Sequence, residues 1–289
     1  MIALELTLEE KFERVRHYRP IDDVFFEVLA ASKPVCQEML RTILEDPGLI
    51  VLDVVVQSSE RNLYGRSVRL DALCTLGDGR RVNIEVQRSD NDDHLRRIRM
   101  NASDITTRES QCGEAFSDIP ELIIIYLSEF DFLGEGRTTY HIDKVIRESG
   151  TIVRDGLSII CVNAAVYDGT EIAELMRCFL QETVEHPTFP ALSQEVHKLK
   201  ETEGGASAVC EIMKHYEDIA RAEGINIGRS EGINIGRSEG INIGRSEGIN
   251  IGRRDLLWSL VRQGLLPVDA AAAQAGLSVE AFLQTKPRE

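Results

Sequence analysis

The feature that most constrains this chain is a pair of strand-like segments, Ser67 to Thr75 and Arg81 to Gln87, joined through Leu76-Gly77-Asp78-Gly79-Arg80. A three-residue loop with a glycine able to take positive φ is a common hairpin connection, and it centres the hairpin on Asp78. The register then pairs Thr75 with Arg81, Leu73 with Asn83, Asp71 with Glu85 and Arg69 with Gln87, all eight side chains on one face. The opposite face (Leu70, Ala72, Cys74, Val82, Ile84, Val86) is apolar and belongs to a core. Asp71 is thus set across from Glu85, where opposed Cβ atoms lie about 5 Å apart and like charges repel. A proton or a cation must sit between them. A hard divalent cation such as Mg²⁺ meets that need, because it takes oxygen ligands from one or two carboxylates and fills the rest with water and substrate phosphate. Gln87 projects beside the pair and could position a water or a phosphate. An incidental acidic pair on a solvated, arginine-flanked face accounts for the same spacing equally well.

Around the hairpin, Thr7 and Glu10 form a capping box for a short helix ending near His17, and Pro20 breaks it. Asp22 is placed to cap a second helix, and a third covers Pro34 to Leu44. Gly48 to Gln57 reads as a strand, and an arginine-rich helix runs from about Asp92 to Arg108. Glu121 to Leu127 is almost continuously apolar, as a strand covered on both faces is, and Leu157 to Val162 is similar. After Thr170 the pattern is helical. This order predicts an α/β fold with a mixed sheet. With 289 residues, 43% hydrophobic and 28% charged, the chain can bury such a core.

The tail differs in kind. EGINIGRS occurs three times from Glu223, and EGINIGR follows to Arg253, a perfect period of eight. Glycine recurs at every fourth position from Gly224 to Gly252, which on a helix gives a ridge for close approach of another helix; the eight glycines lose about 8 kcal/mol of helix propensity relative to alanine. The segment is therefore a helix that needs a partner, or else a flexible or β-like spacer. Asp255 to Gln263 and Pro267 to Ala275 read as short helices stopped by Gly264 and Gly276, with Ser278 capping a last turn. This module resembles half of a helix-turn-helix or an oligomerising hairpin. The expected division is a core domain over 1–200, linker helix and repeats over 201–254, and a small helical module over 255–289.

Composition sets further limits. Lysine and arginine number 33 against 48 acidic residues, a net charge of −15, which argues against a broad polyanion-binding surface. Residues 61–110 nevertheless carry ten arginines and a local charge of +2, against −17 elsewhere. No apolar run is long enough to span a membrane, and the first residues lack a signal-peptide pattern, so a cytoplasmic location is expected. The six cysteines are scattered without CxxC, as reduced core cysteines are. No histidine pair has metal-ligand spacing, and GxSxG, Walker A and GxGxxG are absent, which removes hydrolase triads and nucleotide cofactors. His94 lies near the hairpin and reads as a surface histidine rather than a general base.

Four segments in order, DDVFFEVL (Asp22 to Leu29), VRLDALCTLGDGRRVNIEVQ (Val68 to Gln87), RRIRMNASDI (Arg96 to Ile105) and GEAFSDIPELIIIYLSEFDF (Gly113 to Phe132), resemble the Rpn family of recombination-promoting nucleases and transposase-like proteins, within the PD-(D/E)XK superfamily. The resemblance covers roughly residues 20 to 200. It implies a metal-dependent DNA endonuclease fold using Mg²⁺, or Mn²⁺ in its place, in recombination, mobile-element or defence biology. It further implies Asp71 and Glu85 as metal ligands, Gln87 in the position usual for lysine, and Asp22 as the acidic residue of the first core helix near the metal. Arg96, Arg97 and Arg99 would meet DNA phosphate, or else be solvated or paired with Asp92 and Asp93. Phe26, beside Asp22, departs from the family's usual lysine, and Met100 and Asn101 from its aromatic residues; none of these touches Asp71, Glu85 or Gln87. The alternative is a catalytically silent nuclease-fold protein that oligomerises or binds DNA through its repeat tail. A homo-oligomer through that tail is expected in either case.

Overall fold

The computed structural model describes residues 6–61, 67–90, 93–110 and 112–286, with side chains described outside 57–61, 67–70 and 223. Three helices come first: α1 (Leu8–Arg16), α2 (Asp23–Ala30) and α3 (Lys33–Ile43). A meander follows, β1 (Val51–Arg61), β2 (Ser67–Leu76) and β3 (Arg81–Gln87), then α4 (His94–Glu109) and β4 (Leu122–Ser128). Three short strands, β5 (Thr139–Ile142), β6 (Lys144–Ile146) and β7 (Thr151–Val153), lead into β8 (Leu157–Asn163). Helices α5 (Glu171–Phe179), α6 (Pro190–Glu201), α7 (Glu203–Arg262), α8 (Val268–Ala275) and α9 (Val279–Gln284) complete the chain.

Six strands form one mixed sheet in the order β1-β2-β3-β4-β8-β5. The β1-β2-β3 meander is antiparallel, β3, β4 and β8 are parallel, and β5 closes the far edge antiparallel to β8. Parallel neighbours require crossovers, and α4 supplies the one between β3 and β4. Period-two alternation divides the sheet between two cores. Val82, Ile84, Val86, Ile123, Ile125 and Leu127 face α1, α2, α3, α5 and α6, where Phe25, Phe26, Met39, Leu40 and Phe179 are buried. Leu122, Ile124 and Tyr126 face α4 through Ile98, Ala102 and Ile105. Every residue of β4 is buried, as the run ELIIIYL predicts.

The Thr7–Glu10 capping box forms as expected. Asp22 stands at the N-cap of α2 but makes no side-chain cap; its carboxylate instead takes the Arg19 N–H at 2.6 Å. The hairpin loop turns at Gly79 (φ 93°), a conformation open to glycine.

Contacts divide the chain into units 1–217 and 218–289. The repeats are helical within α7, and the helix predicted from Asp255 is the end of α7 rather than a separate element. A Cβ added at any repeat glycine meets nothing within 4 Å, and the repeat isoleucines are 49% to 64% exposed. Successive glycines four residues apart turn by about 40° around a helix, so the row winds about the axis instead of lining one side. In the second unit Trp258 stacks on Phe282 at 4.7 Å, with Ala271 and Ala272 buried beside them. Gly264 and Gly276 stop their helices in the left-handed region, and Ser278 caps α9.

Candidate active site

The β2–β3 ladder pairs Thr75 with Arg81, Leu73 with Asn83, and Ala72 with Ile84. One step further, the Asp71 carboxylate accepts the Val86 N–H at 2.7 Å. A side chain thus takes a ladder donor, and Asp71 is drawn toward the end of β3. Arg69, expected opposite Gln87, and Leu70 have side chains outside the described residues.

Glu85 is fully buried on the α4 face of the sheet. Oε1 accepts from Asn83 Nδ2 at 3.3 Å, while Oε2 has no hydrogen-bond partner among the described residues. The Arg97 guanidinium of α4 lies 3.8 Å from Oε2. Burial first, and the Asp71 charge second, push the Glu85 carboxyl well above the usual carboxylate range, against the pull of Arg97. Gln87, 8% exposed, donates Nε2 to the Ser89 carbonyl at 2.8 Å, which sets its amide at the mouth of the loop after β3.

Asp22 is bound in an ion-pair quartet. Its Oδ1 lies 3.1 Å from both the Arg19 and the Arg88 guanidinium, and Glu129 reaches Arg19 at 2.6 Å and Arg88 at 3.4 Å. Arg88 follows Gln87 directly, so the quartet ties the start of α2 to the ends of β3 and β4. Of the arginines expected at phosphate, Arg96 pairs with Asp93 at 3.1 Å, Arg97 points at Glu85, and Arg99 is exposed. Asp92, the other expected partner, lies outside the described residues.

His94 is not a surface residue. It is 6% exposed, with Nδ1 2.9 Å from Tyr126 Oη, Nε2 3.0 Å from Asp90, and its ring against Phe130 and Phe132. Sequence reasoning missed it because those aromatic partners arrive from the end of β4. It also missed Asn83, although the alternation that exposes Glu85 to α4 places Asn83 on the same face.

No group of three described His, Cys, Asp or Glu side chains could cage a metal. The pair Asp71 and Glu85 still suits a hard cation: two oxygen donors, one of them a buried oxygen with no hydrogen-bond partner among the described residues, with the remaining positions left to water and substrate.

A mixed sheet thus lies between helical layers, with Asp71 and Glu85 near one another at the open end of a β-hairpin and Gln87 two positions on. A family model described as PD-(D/E)XK nuclease family transposase matches residues 21–180, and the chain belongs to that family. The match takes in α2 to α5 and strands β1 to β8 of the described residues. No curated protein and no solved structure shows significant similarity. The family indicates a nuclease, with DNA as the substrate its members imply and divalent metal as their general cofactor. No described helix is long and apolar enough to cross a membrane.

Proposed function

We propose that this protein is a DNA endonuclease that hydrolyses phosphodiester bonds with Mg²⁺, or Mn²⁺ in its place. The observation that carries the reading is Glu85 Oε2, a buried carboxylate oxygen without a hydrogen-bond partner among the described residues and beside a second carboxylate. Asp71 and Glu85 hold the cation. When bound, it polarises a phosphoryl oxygen and lowers the pKa of a water.

The chain's own residues do the rest. Asn83 fixes one oxygen of Glu85, so the other faces the reacting centre. Gln87 orients water or phosphate through its amide, a neutral group that is a poor Mg²⁺ ligand but a good hydrogen-bond donor and acceptor. Asp22 holds Arg88 and Arg19 at the rim. Arg96, Arg97 and Arg99, at the start of α4, meet DNA phosphate as positioning contacts. The catalytic domain is assigned to 1–200, the linker and repeats to 201–254 and the small module to 255–289, with self-association assigned to the tail.

Nicking of supercoiled plasmid tests the reading. Cleavage is expected with Mg²⁺ or Mn²⁺, absent with EDTA, and lost in Asp71→Ala and Glu85→Ala with the fold intact. A variant that cuts at the wild-type rate, contaminating nuclease excluded, makes the site assignment wrong.

A further inference from the structure

The Glu85–Arg97 pair differs from an ordinary structural salt bridge. Arg81, on the same strand, shows the ordinary form: its Nε lies 3.0 Å from Glu109 Oε2, and it also donates to Thr75. Arg97 stands 3.8 Å from Glu85 Oε2, inside ion-pair range but too far for a hydrogen bond. The pair is also lopsided in exposure, with the carboxylate side chain 1% exposed and the guanidinium 35%. The carboxylate is fixed, since Asn83 holds its other oxygen. The guanidinium sits on a long flexible stem with a way out to solvent.

The backbone that carries Arg97 is anchored apart from this contact. Three residues earlier, His94 is locked between Tyr126 and Asp90 and packed on two phenylalanine rings. The first turn of α4 can therefore stay in place while the Arg97 side chain moves. Without a cation, the Arg97 guanidinium stands against Glu85 Oε2. A divalent cation at Oε2 would occupy that position and repel the guanidinium at close range.

We propose that Arg97 is the exchangeable occupant of the metal-free site, its guanidinium standing against Glu85 Oε2 until a divalent cation takes that oxygen, after which the released guanidinium turns to a DNA phosphate at the same rim. The inference rests on the metal-dependent nuclease reading and deepens it: it makes Arg97 a positioning residue that links metal occupancy to DNA binding.

The test is calorimetric titration of Mg²⁺ into the full-length protein without DNA. Because a repelling unit charge is removed, Arg97→Gln should bind Mg²⁺ about tenfold more tightly, whereas Arg97→Lys should stay within about threefold of wild type. In DNA binding with Ca²⁺ in place of Mg²⁺, Arg97→Gln should lower the slope of log K against log salt by about 0.9, the loss of one phosphate contact. Unchanged or weaker Mg²⁺ binding in a folded Arg97→Gln overturns the exchange and leaves the two-carboxylate site standing. Tightening in Arg97→Lys equal to that in Arg97→Gln also overturns it, since charge would then not be the cause; this arm decides the matter should Arg97→Gln fail to fold. No binding by wild type or either variant overturns both the exchange and the metal-dependent reading.

Discussion

Glu85 is a side chain the fold has reason to prefer neutral. Its carboxyl is raised well above the ordinary value of 4.5, by burial and then by Asp71. A folded-state value above the unfolded one gives stability that is present below the ordinary carboxylate range and lost as pH rises through the raised value. In EDTA, Glu85→Gln should therefore be more stable than wild type at neutral pH, by about 1–2 kcal/mol, as substitutions at strained functional sites commonly are. The gain should vanish as pH falls below about 4.5. Thermal melts across a pH series check both halves; a variant no more stable than wild type at pH 7 speaks against the burial argument. Gln87→Ala should lower turnover more than metal affinity, because an amide orients water better than it ligates Mg²⁺. Lost Mg²⁺ binding with normal cleavage kinetics would contradict that role. The pairing of Thr75 with Arg81 and of Leu73 with Asn83, and the nearness of Asp71 to Glu85, were legible because alternation and a three-residue loop determine them locally. The quartet of Arg19, Asp22, Arg88 and Glu129 was not, because its members lie up to 110 positions apart.

Among the elements, the long apolar strands and capped helices were legible, whereas β5, β6 and β7 were not. They are three or four residues long, and β6 and β7 are wholly exposed, so no alternation marks them. The turn from α6 into α7 depends on Gly205, where an added Cβ would lie 2.3 Å from the Lys198 carbonyl oxygen and 2.5 Å from Leu199 Cα. Gly205→Ala should cost about 1–3 kcal/mol, the range for forcing extra volume into a packed site. Denaturant unfolding that finds no loss would mean the junction can shift. The repeat glycines make the opposite case, since an added Cβ meets nothing. Replacing all eight by alanine should strengthen the helix by about 1 kcal/mol per position. Amide exchange across 224–252 should slow accordingly. Exchange that is unaltered would show that the repeats do not act as a free-standing helix.

At the scale of the whole molecule, residues 1–217 hold the two cores around the sheet, and 218–289 hold a separate small cluster around Trp258 and Phe282. Deleting 223–289 should leave the unfolding transition of the sheet domain in place, because none of the side chains that form its cores is removed. A truncated protein without a cooperative transition would place part of that stability in the tail. The net charge of −15 makes DNA binding dependent on a few arginines, so it should weaken steeply with salt. Nuclease action by this chain requires above all that Asp71 and Glu85 hold a divalent cation. Anomalous X-ray scattering from crystals soaked in Mn²⁺ tests it most directly. The expected result is a peak within about 2.0–2.3 Å of Glu85 Oε2 and of an Asp71 carboxylate oxygen. A well-ordered site with no peak, or a peak bound only elsewhere on the chain, would contradict it.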